Sequence, residues 1–199
     1  MNLSAAEVYI FELLRNQLPE HLYYHGLHHT QDVMQAAKRL AQGENISPED
    51  TCLVVTAALF HDIGFVEQYF NNEPIGARYA REALPEFGYK PIQIQIITQL
   101  ILATQIPQKP TTHLQKILCD ADLDYLGRED FYKVARSLKK EWEFYKIIKT
   151  NEEWHTKQIA FLQRHHYFTY TAKKLRQARK EKHLKQLIKN NHTIYPEKV

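Results

Sequence analysis

The sequence predicts an all-α fold, a compact bundle of about eight to ten helices. Apolar residues recur at intervals of three and four along most of the chain, which is the spacing of an amphipathic helix. Prolines and glycines stand singly at the ends of these segments, where they start or stop helices. These two observations favour helices throughout and leave no segment that predicts a sheet.

Start and stop signals place the helices in order. They are expected at residues 4–18, 28–43, 47–62, 74–84, 91–104, 111–126, 129–145, 152–165 and 171–189. Ser4 and Glu7 form a capping-box pattern for the first helix, and Ser47 with Pro48 starts the third. The fifth segment is rich in β-branched residues, but its length and flanking prolines favour a helix over a strand.

The length and composition predict a single domain that spans residues 1–199. The chain has 199 residues, of which 44% are apolar, enough for one substantial core. The first 18 residues lack a basic region followed by an apolar core, and no apolar run approaches the ~20 residues of a membrane span. Cys52 and Cys119 lie in apolar helical segments and are expected to be buried thiols. We therefore expect a cytoplasmic protein with no membrane span.

The positive charge is concentrated near the C-terminus. The net charge of the chain is +3, yet nine Lys or Arg and only two Glu lie between Thr171 and Val199. This distribution predicts a basic C-terminal helix from about residue 171. Such a helix can attract nucleotides, nucleic acid or anionic membranes, or it can be a solvated helix that packs through its apolar stripe.

Three separated segments carry the residues most suited to chemistry. Tyr24 to Val33 contains three histidines, His61-Asp62 ends the apolar run Leu53 to Phe60, and Asp120 to Asp124 contains three aspartates. Burying an imidazole beside a carboxylate is costly unless a partner such as a divalent cation pairs with both. Adjacent helical side chains diverge by about 100°, so His61 and Asp62 meet at one ion only where the helix ends. A mixed nitrogen and oxygen set suits Mn, Fe, Co, Ni, Zn or Mg rather than a thiolate-bound zinc.

The order of His29, His61-Asp62 and Asp122 resembles the H…HD…D signature of the HD-domain metal-dependent phosphohydrolases. The resemblance runs from about residue 20 to residue 185. The runs DADLDYLG and FLQRHHYFTYTA look like a bacterial branch of HD proteins. The segment from Tyr24 to Val33 is also similar to the YHNxxHAxDV segment of the cyclic-nucleotide phosphodiesterases. The resemblance implies an HD-domain helical bundle that binds a metal.

The resemblance further implies a site for one divalent metal ion. Its ligands would be His29, His61, Asp62 and Asp122. His28 competes with His29, and Asp120 and Asp124 compete with Asp122, and only the family register decides between them. The catalytic residues implied are Asp62 and His25, with His25 protonating the leaving oxygen as a general acid. Alternatively, His25 is a loop histidine that bonds to backbone.

Three further residues are candidates for binding the substrate. The family's two-metal enzymes carry extra histidines after the doublet, whereas this chain has Phe65 and Asn72, which favours a single ion. Glu73 would orient the nucleophile or hold a second ion through water, or it is an ordinary acidic residue of a first helical turn. Arg164 and His165 would hold phosphate over the site, or His165 is a helix-end histidine.

These observations predict a metal-dependent phosphohydrolase. It would cleave a phosphomonoester or phosphodiester bond of a nucleotide or similar small phosphate ester through a metal-activated water. The alternative is a catalytically weak HD module that binds a nucleotide or a protein partner for regulation, which the missing histidines and the basic tail favour. A third interpretation, a nucleic-acid-processing enzyme, depends only on the tail.

Overall fold

The structure is a computed structural model that describes residues 1–194, with side chains described through residue 190. Within the described residues the regular structure is helical and contains no strand, so the predicted all-α class is confirmed. The longer helices are α1 (Leu3–Gln17), α2 (Leu27–Gly43), α3 (Pro48–Phe60), α4 (Asn72–Ala83), α5 (Pro91–Leu102), α6 (His113–Asp122), α7 (Phe131–Phe144), α8 (Asn151–Arg164) and α9 (Ala178–Ile194). A helical turn, Tyr170–Ala172, and a π-helical segment, Lys173–Gln177, precede α9. Residues 195–199 of the predicted basic tail lie outside the described residues.

The chain divides into two compact units. The first, Met1–Leu123, contains α1 to α6, and the second, from Asp124 onward, contains α7 to α9. The sequence-based expectation of one domain over residues 1–199 stays a prediction. Among the described residues, the structure contains no helix with the length and hydrophobicity that a membrane span requires.

Helix α3 is the buried centre of the first unit. Every residue from Leu53 to Phe60 is buried, because this run is apolar on all faces and packs against α1, α2, α5 and α6. The start of α3 follows the sequence signal, since the Ser47 side chain accepts a hydrogen bond from the Asp50 amide and Pro48 is the first helical residue. The apolar run therefore carries its polar end, His61-Asp62, into the interior.

Two glycines let α4 pack closely against the end of α3. A Cβ atom on Gly64 would lie 2.1 Å from the carbonyl oxygen of Asn72, and one on Gly76 would lie 2.8 Å from the carbonyl oxygen of Phe60. No side chain fits at such separations, so each glycine is required for close approach of backbone to backbone. The first residue of α4, Asn72, is thereby placed directly beside the His61-Asp62 turn.

The second unit has its own buried polar contacts. Nε of Arg176 donates to Oδ1 of Asp124 at 2.7 Å, and its second guanidinium nitrogen donates to Oδ2 at 3.1 Å. Nδ1 of His183 donates to the carbonyl oxygen of Leu126 at 3.0 Å, while its ring stacks on Phe131 with centroids 4.6 Å apart. These contacts join the helical segment around Arg176 to the turn that starts the unit.

The start of α1 differs from its prediction. The predicted capping box of Ser4 and Glu7 is wrong, because the helix begins at Leu3 and its cap is the Asn2 side chain, which accepts from the Ala5 amide at 3.1 Å. Asparagine caps a helix as well as serine does, so a cap two residues earlier was available.

Candidate metal centre

The start of α2 brings one histidine into the interior of the first unit and leaves its neighbour in solvent. His29 is 6% exposed, whereas His28 is exposed, because consecutive side chains on a helix point about 100° apart. His29 is therefore the histidine of this pair that faces the buried cluster. His29 is also the histidine that the resemblance to the HD family selects as a ligand.

The end of α3 supplies the next two side chains. His61 still has helical backbone angles, with φ −58° and ψ −38°, whereas Asp62 has φ −107° and ψ 4° and has left the helix. This change of direction at the helix end lets both side chains face the same point. Nε2 of His61 lies 3.1 Å from Oδ2 of Asp62.

The last residue of α6, Asp122, completes the cluster. Its Oδ1 lies 3.3 Å from Nε2 of His29 and 3.5 Å from Nε2 of His61. The competing aspartates lie elsewhere: Asp120 is fully buried on another face of α6, and Asp124 pairs with Arg176 in the second unit. Among the three aspartates, Asp122 is the one whose carboxylate reaches both histidines.

The spacing of His29, His61 and Asp122 fits one divalent ion, and Asp62 lies against both histidines. Nε2 of His29 lies 3.4 Å from Nε2 of His61 and 3.4 Å from Oδ2 of Asp62, so the separations measured within the cluster run from 3.1 to 3.5 Å. Two ligand atoms about 2.1 Å from one ion are about 3.0 Å apart at a right angle and about 3.4 Å apart at a tetrahedral angle. Oδ2 of Asp62 is buried and has no hydrogen bond within the described residues, as expected of an atom that faces a cation.

Hydrogen bonds to the outer atoms of three of these residues fix how they face the cluster. Nδ1 of His61 lies 2.8 Å from the carbonyl oxygen of Ala58, which can only accept, so Nδ1 carries the hydrogen. A neutral His61 therefore presents the lone pair of Nε2 to the cluster. Oδ1 of Asp62 accepts from Asn72 at 3.1 Å, and Oδ2 of Asp122 accepts from Gln108 at 3.0 Å.

Electrostatics make the cluster attractive to a cation. Burial by itself would raise the pKa of Asp62 and of Asp122, but the neighbouring histidines lower both, so the two carboxyl groups are ionised. Burial would likewise lower the pKa of His61, yet Asp62 and Asp122 raise it well above its ordinary value. Without a metal ion, a proton on His61 therefore partly neutralises the carboxylates of Asp62 and Asp122. A bound metal ion would neutralise the same two charges.

His25 lies beside the cluster. Its ring stacks on Phe65 with centroids 4.2 Å apart and lies edge-on to the ring of His29 at 6.0 Å. Burial raises the pKa of Asp62, whereas His61 and, to a smaller extent, the charge of His25 lower it. The structure thus places His25 next to His29 of the cluster, and its role as general acid stays a prediction.

The three predicted substrate-binding residues divide between the two units. Glu73, in the first turn of α4, is half-buried, and burial followed by the charges of Asp62 and Asp122 raises its pKa. Arg164 and His165 belong to the second unit, where Arg164 is exposed and donates to the carbonyl oxygen of Ala160. His165 ends α8, and its carbonyl oxygen accepts from Lys180. The phosphate-binding role of this pair stays a prediction.

Sequence reasoning missed two residues and resolved a third. Asn72 was noticed only because it is not a histidine, and Gln108 lies in a loop without any motif, so neither was assigned a contact with the carboxylates. Of the two cysteines expected to be buried thiols, Cys119 is buried and Cys52 is half-buried. Sγ of Cys119 donates to the carbonyl oxygen of Ala103 at 3.1 Å, and burial raises its pKa, which keeps it a thiol.

Comparison with known proteins agrees with this geometry. Residues 26–124 match the HD domain family, a range that includes all four clustered side chains. The chain therefore belongs to the HD-domain superfamily, as its H…HD…D pattern predicts. A search of curated proteins finds no match.

A solved structure shares the fold. It is the 1.45 Å crystal structure of a protein from an uncultured Thermotogales bacterium, described as a predicted HD superfamily hydrolase. The two chains superpose with a TM-score of 0.54 at 24% sequence identity, over 79% of this chain and 89% of the other. At this identity the likeness shows the fold, and it confirms the predicted HD-domain bundle.

Proposed function

We propose that this protein is a metal-dependent phosphohydrolase. The observation that carries the proposal is the convergence of His29, His61 and Asp122, whose nitrogen and oxygen atoms lie 3.3 to 3.5 Å apart, a spacing that suits one divalent ion. Oδ2 of Asp62 lies 3.1 Å from Nε2 of His61 and 3.4 Å from Nε2 of His29. The HD domain and the hydrolase description of the Thermotogales protein support the same class of reaction. The proposed substrate is a nucleotide or a similar small phosphate ester, and the proposed location is the cytoplasm.

The proposed mechanism assigns separate tasks to the residues of the chain. His29, His61, Asp62 and Asp122 would hold a divalent ion, which when bound acidifies water and polarises a phosphoryl oxygen. The oxygen of one water would bond to phosphorus as the P–O ester bond breaks, and His25 would donate its proton to the leaving oxygen. The proton lost by the water would pass to solvent, and His25 would regain a proton from solvent. Glu73 orients the water from the opening turn of α4.

A row of aromatic rings supports an aromatic substrate. Starting from His25, which stacks on Phe65, the row continues to Tyr69 at 5.4 Å and to Phe70 at 5.2 Å. Phe70 is 63% exposed, so the last ring of the row is accessible to solvent. Exposed aromatic rings stack on nucleobases with little dependence on base identity. We therefore favour a nucleotide over an aliphatic phosphate ester.

The test is phosphate release by protein that has been stripped of metal and reloaded separately with Mn, Co, Ni, Fe, Zn or Mg. The panel contains nucleoside monophosphates, cyclic nucleotides and simple aryl and alkyl phosphate esters, with Asp62→Ala as the blank. We expect turnover with at least one metal and none in the blank. Among the histidine variants, His29→Ala should abolish turnover, whereas its exposed neighbour variant His28→Ala should retain it.

A different outcome would change the class of protein. Stoichiometric metal binding without turnover on any substrate would contradict a phosphohydrolase and favour a regulatory module that binds a nucleotide. Turnover that persists in Asp62→Ala would place the activity at another site.

His25→Gln should keep the metal while lowering turnover by about 10²- to 10⁴-fold, the usual contribution of a general acid.

A further inference from the structure

Two neutral side-chain amides contact the outer oxygens of the two clustered carboxylates. Nδ2 of Asn72 donates to Oδ1 of Asp62 at 3.1 Å, and Nε2 of Gln108 donates to Oδ2 of Asp122 at 3.0 Å. Asn72 begins α4, whereas Gln108 lies in the loop between α5 and α6. Two unrelated segments of the first unit therefore make the same type of contact on the two carboxylates.

The direction of both hydrogen bonds follows from charge. A carboxylate that binds a metal ion is ionised, so its oxygens can only accept. The amide nitrogen, and not the amide oxygen, must therefore face the carboxylate in both pairs. An amide nitrogen that donates in this way presents a partial positive charge and no lone pair, so a second cation is not accommodated on the outer side of either carboxylate.

We infer that Asn72 and Gln108 are positioning residues that hold Asp62 and Asp122 as monodentate ligands and restrict the centre to one ion. The inference rests on the proposed metal centre. Each carboxylate turns one oxygen toward the histidine nitrogens and has its other oxygen occupied by an amide. Two neutral histidines and two carboxylates carry a charge of −2, which a single divalent ion balances, and the amides fix the geometry without adding charge.

The surroundings hold Asn72 firmly in this role. The residue is 6% exposed, and the close approach of its backbone to Gly64 leaves no room for α4 to move inward. Gln108 is half-exposed, and its Nε2 also lies 3.5 Å from the carbonyl oxygen of Thr104. The two contacts can therefore be tested separately, one in a buried position and one in a loop where substitution is tolerated.

The experiment measures binding of Mn²⁺ to the metal-free full chain by titration calorimetry, in the wild type and in Asn72→Leu and Gln108→Leu. We expect one ion per chain in the wild type and a Kd raised about 10- to 100-fold in each variant, the usual cost of losing such an outer contact. Infrared difference spectra should show a shift of the carboxylate bands from the monodentate toward the bidentate pattern.

Gln93→Leu is the matched control. Its amide makes the same kind of bond, from Nε2 of Gln93 to Oε1 of Glu49 at 2.8 Å, in a part of the first unit without clustered histidines. This variant should bind Mn²⁺ with the wild-type Kd and with unchanged carboxylate bands. Thermal unfolding of each variant verifies that it is folded.

The outcomes separate this inference from the proposed function. Wild-type Kd values in both Asn72→Leu and Gln108→Leu, or two ions bound by the wild type, would overturn the inference and leave the metal centre standing. Absence of Mn²⁺ binding by the wild type would overturn the metal centre and with it the inference. Because binding is measured without a substrate, failure to find a phosphohydrolase activity affects neither result.

Discussion

Asp122 and Asp124 stand two residues apart and belong to two regions that neutralise a carboxylate in different ways. In the first unit, Asp122 faces the Nε2 atoms of His29 and His61 at 3.3 and 3.5 Å. In the second unit, Asp124 receives two hydrogen bonds from Arg176. Arginine carries a permanent charge, whereas histidine can lose its proton and offer a lone pair. The pair in the second unit is therefore complete by itself, and the cluster in the first unit is suited to an external cation.

We expect the largest effect on metal binding from the variant His61→Ala. It removes one ligand and leaves the two ionised carboxylates without their central imidazole, so we expect no stoichiometric Mn²⁺ and no metal-dependent turnover. Metal content after gel filtration, measured by mass spectrometry, checks this result. Retention of one ion per chain in both His61→Ala and Asp122→Ala would show that the site is assigned to the wrong residues.

In the second unit, Arg176→Met should affect stability and not metal binding. It leaves the carboxylate of Asp124, which is 2% exposed, without its cation. Because a buried ion pair then loses one partner, the free energy of unfolding should fall by about 3 to 5 kcal/mol. Urea unfolding measures the loss of free energy of unfolding, and calorimetry should return the wild-type Kd for Mn²⁺. A raised Kd with unchanged stability would contradict the division of roles between the two regions.

Gly64→Ala should lower the stability and weaken Mn²⁺ binding, each to a moderate extent. The new Cβ would lie 2.1 Å from the carbonyl oxygen of Asn72, so the start of α4 must move away from Asp62, at a cost of about 1 to 3 kcal/mol. Because the shift loosens the bond from Asn72 to Asp62, we expect a raised Kd for Mn²⁺.

Gly88→Ala serves as its control. Gly88 has φ +73° and open space around it, so alanine is strained there by about 1 kcal/mol without any effect on the centre. Equal Kd values in the two glycine variants would mean that the approach of α4 does not support the metal centre.

The smallest effect concerns the dependence of Mn²⁺ affinity on pH. Burial lowers the pKa of His61, but Asp62 and Asp122 raise it well above its ordinary value, so at neutral pH a proton competes with the ion. The affinity should therefore increase as the pH rises through this raised pKa and then level off. Calorimetry in two buffers with different ionisation enthalpies should show proton release on binding, and a pH-independent affinity without proton release would contradict this account.

Much of the centre could be predicted because its residues lie at helix ends that the sequence marks. The apolar run before His61-Asp62 predicts a buried helix, and a polar doublet at its end predicts a site. The choice between His28 and His29, and among the three aspartates, needed the resemblance to the HD family. The close approach of Asn72 to Gly64, in contrast, has no signal in the sequence.

The remaining contacts could not be predicted, because they join segments whose relative position depends on tertiary packing. The hydrogen bonds from Asn72 to Asp62 and from Gln108 to Asp122 join residues on either side of loops whose conformation no sequence motif predicts. The pairing of Asp124 with Arg176 spans 52 residues and fixes an aspartate that the sequence left as a candidate beside Asp122. Periodicity reports which face of a helix is buried, and it does not report which side chains meet there.

The most direct test of the central claim is a crystal structure of the Mn²⁺-soaked protein with anomalous diffraction measured at the manganese edge. The account predicts one anomalous peak per chain, within coordination distance of Nε2 of His29, Nε2 of His61, Oδ2 of Asp62 and Oδ1 of Asp122. A peak at another place, or no peak from protein that binds Mn²⁺ stoichiometrically in solution, would contradict it.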